Sequence, residues 1–123
     1  MSFWLLLAAG ILSAFWLSVH LTAGERDVAR PFLQSCDLDP VVRETQYLCW
    51  HFTSVTMACM AGFYVWSAIT TDTAFAIAGI ALSSSFAVLG IGLVVLRKGK
   101  HLELPQGWLF VPVTLLGLGG LFL

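Results

Sequence analysis

Charge is scarce in this sequence. Asp, Glu, Lys and Arg together make up 11% of its 123 residues, whereas 59% are hydrophobic. An ordinary soluble domain carries charge on about a quarter of its residues. The balance therefore predicts an integral membrane protein whose first partner is the lipid bilayer, and we expect no nucleic-acid partner.

Paired cysteines and a cleavable leader are also missing. Cys36, Cys49 and Cys59 are odd in number and contain no Cys-x-x-Cys pair, which argues against a disulfide framework or a thiol-redox motif. The N-terminus Met-Ser-Phe-Trp-Leu-Leu-Leu has no positive region and no small-residue cleavage site. We therefore expect a retained span there rather than a secretory signal.

A third absence concerns ionisable side chains in the middle of the apolar runs, where they usually mark ion pathways and proton relays. The middles of all four runs contain none, and the first run is uncharged until Glu25. A small multidrug-type transporter would need an acidic residue in its first span, so transport is disfavoured. No stretch matches a catalytic motif that would name a reaction, which leaves open whether the protein is an enzyme.

Four apolar runs are present, and each is long enough to cross a hydrocarbon core of about 30 Å at 1.5 Å per helical residue, the last only just. The predicted spans are about 2–23, 45–69, 74–96 and 106–123. We predict an all-α membrane protein with one domain, in which four transmembrane helices form an up-down bundle.

The predicted connection at residues 24–44 is polar and is the longest in the chain. We expect Pro31 to limit any helix within it. Its apolar residues would let a short segment lie on the membrane surface. Asp39-Pro40 then reads as an N-cap followed by proline at the first helical position, so the second helix should begin before its apolar part.

Small residues recur along three of the spans in a pattern that lets a neighbouring helix approach closely in a membrane. The predicted packing residues are Gly10, Ala14, Ser18, Ala58, Gly62, Gly79, Ser83 and Ala87. Such stripes suit packing within the bundle, in a homo-oligomer or against other membrane subunits.

All six Lys and Arg residues lie in the first and third connections, so the positive-inside rule places both termini outside the cytoplasm. The tryptophans agree, because Trp4 and Trp66 fall at the outer interface and Trp50 and Trp108 at the inner one. Trp16 alone is out of place.

Four ionisable residues should meet at the cytoplasmic level: His20, Glu25, Glu44 and His51, with His101 as a further candidate. Two histidines and a carboxylate from neighbouring helices could hold a metal ion, and two histidines could be axial haem ligands. Alternatively, the histidines are interfacial side chains bonded within the loops, or they line a pocket for a quinone or a lipid headgroup.

The basic residues of the two connections are first a topology signal. Secondarily, they are candidate contacts for haem propionates or anionic headgroups. The predicted contacts are Arg26, Arg30, Arg97 and Lys98.

The pattern His20…Gly24-Glu25…Arg30-Pro31, followed by Trp50-His51, resembles that of small four-span bacterial inner-membrane proteins without an assigned activity. The resemblance covers roughly the first half of the chain. It implies the four-span fold and shared polar positions at His20, Glu25, Arg30 and His51, but it implies no reaction.

Two function classes therefore stand against each other. In the first, the protein binds a metal or haem in a cytoplasmic-side His/Glu pocket, with a redox-linked role. In the second, it is a structural or accessory subunit within a larger membrane complex or a homo-oligomer. Quinone or lipid headgroup binding is the third alternative.

Overall fold

A computed structural model describes residues 1–123, and all its regular structure is helical. The helices are α1 (Phe3–Leu33), α2 (Pro40–Thr70), α3 (Thr73–Leu96) and α4 (Gln106–Phe122). By length and composition, α1, α2 and α3 are able to cross a membrane, whereas α4 is a shorter apolar helix of 17 residues. This architecture agrees with the expected all-α membrane class.

Two aspartates begin the two central helices. The carboxylate of Asp39 accepts a hydrogen bond from the Val41 backbone N–H at 2.9 Å, and Asp72 does the same for Ala74 at 2.9 Å. Each satisfies one of the backbone donors that a helix start leaves free. The start predicted at Asp39-Pro40 is therefore confirmed.

The end of the first helix differs from the expectation. α1 continues past Ala23 to Leu33, and its residues His20–Ala29 are π-helical. The predicted polar connection at 24–44 contracts to residues 34–39 as a result. Pro31 does not end the helix, because it lies in the first turn of the α-helical segment Arg30–Leu33, where a missing N–H costs little.

Each helix packs against two others: α1 contacts α2 and α4, and α3 contacts the same two. The start of α1 meets the end of α4, where the Ser2 N–H donates to the Gly120 carbonyl at 2.8 Å. A Cβ placed on Gly120 would lie 2.7 Å from Leu6 Cγ. Glycine at this position therefore allows α1 and α4 to touch.

A buried hydrogen-bonded cluster joins α2, α3 and α4. Tyr64 of α2 is fully buried, and its hydroxyl lies 2.9 Å from the Ser83 hydroxyl of α3. The Thr114 hydroxyl of α4 lies 3.0 Å from the same Ser83 oxygen. Gly79 and Gly117 pass against the Tyr64 ring, where neither has room for a side chain. This end of the bundle is thus tightly packed.

The predicted packing residues divide into two groups. Within the chain, Gly10, Gly79, Ser83 and Ala87 are buried, whereas the exposed ones are Ala14, Ser18, Ala58 and Gly62. The prediction that this second group packs within the bundle is therefore corrected. Ser13 turns inward on α1, and Ser54, Met57, Met60 and Tyr64 form the inner face of α2.

Candidate functional site

At the end of the bundle away from Tyr64, the four helices border a half-open cavity of about 450 Å³. This volume lies within the usual range of small-molecule sites, roughly 300–1,000 Å³. Every helix contributes to the wall, and its aromatic side chains are Trp16, His20, Trp50, Phe86 and Phe110.

The cavity exists because two helix pairs stay in close contact while the space between the pairs opens. In the first pair, Gly24 of α1 lies against the Trp50 indole of α2, where an added Cβ would be 3.0 Å from the ring. In the second pair, Gly90 of α3 meets Gly107 of α4, where an added Cβ on Gly90 would lie 2.5 Å from Gly107 Cα. All four residues line the cavity.

His20 is held in place on one wall by Trp50. The two rings stack with centroids 3.9 Å apart and planes 17° apart. The His20 Nε2–H donates to the Trp50 backbone carbonyl at 3.3 Å. In neutral imidazole this leaves Nδ1 as a hydrogen-bond acceptor without a partner in the chain.

The other predicted ligands lie outside the cavity. The Tyr47 hydroxyl donates to Glu25 Oε1 at 3.4 Å, and the exposed His51 ring packs edge-on against Tyr47 at 4.6 Å. Glu44 is exposed and lies 3.6 Å from the Arg43 guanidinium. His101 accepts a hydrogen bond from the Trp108 indole N–H at 3.1 Å. None of these side chains lines the cavity beside His20.

The predicted metal-ligand set of His20, His51, Glu25 and Glu44 is therefore not assembled. No group of three or more His, Cys, Asp or Glu side chains in the chain is placed to hold a metal ion. The physical reason is rotation about α2: neighbouring helical residues point about 100° apart, and Trp50 rather than His51 faces α1.

The predicted headgroup contacts lie at the surface. Arg26 is bonded to Asp27 at 2.6 Å, and this pair is exposed. Arg30, Arg97 and Lys98 are exposed and take part in no ion pair. No lysine or arginine lines the cavity.

Two tryptophans of the wall have a further property that the sequence did not reveal. The indole N–H groups of Trp16 and Trp50 are buried, with less than 1 Å² exposed, and neither has a hydrogen-bond partner. Unpaired buried donors are uncommon in folded proteins. For Trp16, the only available sequence signal was its position away from both predicted interfaces.

No protein-family model, curated protein or solved structure matches this chain. The apolar aromatic cavity is the feature of the chain that bears most directly on function.

Proposed function

We propose that this protein binds a quinone-class molecule, a flat neutral ring with an apolar tail, in the cavity beside His20. The observation that carries the proposal is the chemistry of the wall. It is formed by aromatic and aliphatic side chains with a few polar groups, namely His20, Thr53 and Gln106, and by no charged carboxylate, lysine or arginine. Such a wall suits an apolar ligand oriented by a few hydrogen bonds.

The same wall disfavours the other ligands. An anionic lipid headgroup or the propionates of haem would need cationic partners, and the chain's cations lie elsewhere. A bis-histidine haem would also need a second imidazole, whereas His20 is the only histidine in the cavity. The metal or haem role is therefore the weaker proposal.

The proposal includes the membrane setting. We propose that all four helices span a bacterial inner membrane as an up-down bundle, with both termini outside the cytoplasm. The positive-inside rule supports this orientation, because every Lys and Arg lies in the last part of α1, in the first turn of α2 or between α3 and α4. The cavity would then lie toward the cytoplasmic leaflet, within reach of lipid-dissolved quinones.

Photolabelling in lipid nanodiscs tests the binding. A para-benzoquinone with a short alkyl tail and a photoreactive azide should label cavity residues, and the unlabelled compound should compete. Val19→Phe fills part of the cavity and should weaken labelling about tenfold or more. Val55→Phe is the matched control, because Val55 lies on the outer face of α2 and is 62% exposed.

Labelling that is unaffected by competitor would refute the proposal. Equal labelling of Val19→Phe and Val55→Phe would also refute it, because a quinone dissolved in the lipid treats both variants alike.

A second candidate function rests on a different surface. Ala14, Ser18, Ala58 and Gly62 are exposed small residues, and a Cβ on Gly62 would meet nothing within 4 Å. Another membrane helix could approach there, which supports the proposal of a structural subunit or homo-oligomer. Gly62→Leu would then weaken association measured by crosslinking in nanodiscs, while an unchanged crosslinking pattern would contradict this role.

A further inference from the structure

The hydrogen-bond partners of the cavity's polar groups indicate which redox form of the ligand fits. His20 gives its Nε2–H to the Trp50 carbonyl, at 3.3 Å. Thr53 gives its hydroxyl hydrogen to the Cys49 carbonyl, at 3.1 Å. A threonine hydroxyl has one hydrogen and two lone pairs, and neutral imidazole has one N–H and one acceptor nitrogen. Because both hydrogens are already donated, each side chain can offer a ligand only an acceptor.

The hydrogen-bond donors that would favour the oxidised form of the ligand are buried. The N–H groups of Trp16 and Trp50 belong to cavity residues, but each exposes less than 1 Å². A ligand oxygen in the cavity therefore does not reach them unless the rings turn. His20 Nδ1 also has no hydrogen-bond partner in the chain but, unlike the two indole N–H groups, it is not buried.

The opposite wall favours neither redox form of the ligand. Gln106 stands at the start of α4, is exposed, and has no hydrogen bond from its carboxamide within the chain. A carboxamide both donates and accepts, so it pairs with either a hydroxyl or a carbonyl. His20 and Thr53 lie on the α1 and α2 side, and Gln106 lies across the cavity on α4.

We infer that the cavity selects a para-hydroquinone, the reduced form of a quinone, over the oxidised form. A hydroxyl of the reduced ring donates to the acceptors on the α1 and α2 wall, and the hydroxyl on the far side of the ring meets Gln106. The oxidised ring presents a carbonyl oxygen to the same acceptors, so lone pairs face lone pairs and no hydrogen bond forms. This inference rests on the proposed quinone-class binding and specifies its ligand.

The test compares both redox forms of one short-tailed compound. Dissociation constants are measured in nanodiscs under anaerobic conditions, with the reduced form maintained by excess reductant. The competing probe is a para-dimethoxybenzene with an alkyl diazirine, which the reductant leaves unchanged. The hydroquinone should bind roughly tenfold more tightly than the quinone, because at least one hydrogen bond is lost and an acceptor is left facing an acceptor.

Two threonines on α2 provide the matched variants. Thr53→Val removes the acceptor from the cavity with little change in shape and should lower the preference roughly threefold. Thr56→Val removes a hydroxyl that makes the same kind of bond, to the Phe52 carbonyl at 2.8 Å, and Thr56 does not line the cavity. Its preference should equal that of the unmodified protein. His20→Phe keeps an aromatic ring beside Trp50 but has no ring nitrogen, and it should also reduce the preference.

Two outcomes would overturn the inference, and they are distinguishable. Equal or tighter binding of the quinone would mean that donor groups of the wall, and not the acceptors of His20 and Thr53, decide the choice of ligand, and the proposed function would survive. Failure of both redox forms to compete would remove the proposed function and this inference together.

Discussion

Replacing Gly90 by alanine should separate α3 from α4. An added Cβ would lie 2.5 Å from Gly107 Cα and 2.7 Å from Gly107 N. Non-bonded carbon atoms favour a separation of about 3.5–4.0 Å, so the helices must part by about 1 Å. The obstructing atoms belong to the backbone and cannot be relieved by a change of rotamer.

Gly92→Ala is the control for this variant, because Gly92 lies on the same helix and a Cβ there would meet nothing within 4 Å. Both changes gain the helix preference of alanine over glycine, about 0.5–1 kcal/mol, so this gain cancels between them. The remaining difference is the overpacking cost, about 1–3 kcal/mol in the free energy of unfolding. Gly90→Ala should be the less stable by that amount.

Reversible unfolding in detergent micelles, followed by far-UV circular dichroism, measures this difference. Gly107→Ala should destabilise the protein in the same way, and the double variant should cost less than the sum, since both changes disturb one contact. If Gly90→Ala and Gly92→Ala unfold at the same denaturant concentration, the close approach of α3 and α4 is not a feature of the folded protein.

Three further predictions concern other parts of the chain. Tyr64→Phe removes the hydroxyl that is hydrogen-bonded to Ser83. It should lower the free energy of unfolding by about 0.6 kcal/mol, the usual size for such hydrogen bonds between membrane helices. The same unfolding assay measures this loss, and a loss above about 3 kcal/mol would contradict the removal of a single hydrogen bond. Asp39→Ala removes the cap of α2 and should cost about 1 kcal/mol, whereas Asp39→Asn should retain most of the stability. A reporter enzyme active only in the cytoplasm, fused after Leu123, should be inactive, and activity would contradict the proposed orientation.

The helix bounds show which signals in the sequence carry local structure. The predicted starts of α3 and α4 lie within a residue of the observed ones, because Asp72 caps α3 and Pro105 precedes α4. The predicted end of α1 was wrong for two reasons. The change to a π-helix at His20 has no compositional marker, and Pro31 alone normally argues for a break.

The packing faces and the site depend on rotation about the helix axes, which composition defines poorly. On α1, Gly10 is buried as predicted, but Ser13 rather than Ala14 continues the inner face. On α2, His20 does meet this helix, but at Trp50 and not at His51 as predicted. One residue corresponds to about 100° of rotation, which is sufficient to turn His51 outward and to place Trp50 against His20 instead.

The hydrogen-bonded cluster around Tyr64 and the proposed ligand cavity lie at different ends of the bundle, and this separation bears on how far the cavity can be altered. The close contacts around Tyr64 and the meeting of Leu6 with Gly120 lie away from the cavity. The cavity end instead contains a π-helical segment and two unpaired indole donors, features that are less favourable for stability and that recur at functional sites. Local opening should therefore be easiest at the cavity. Because Val19 and Thr53 make no part of the Tyr64 cluster, substitutions there should change ligand binding while the rest of the bundle stays folded.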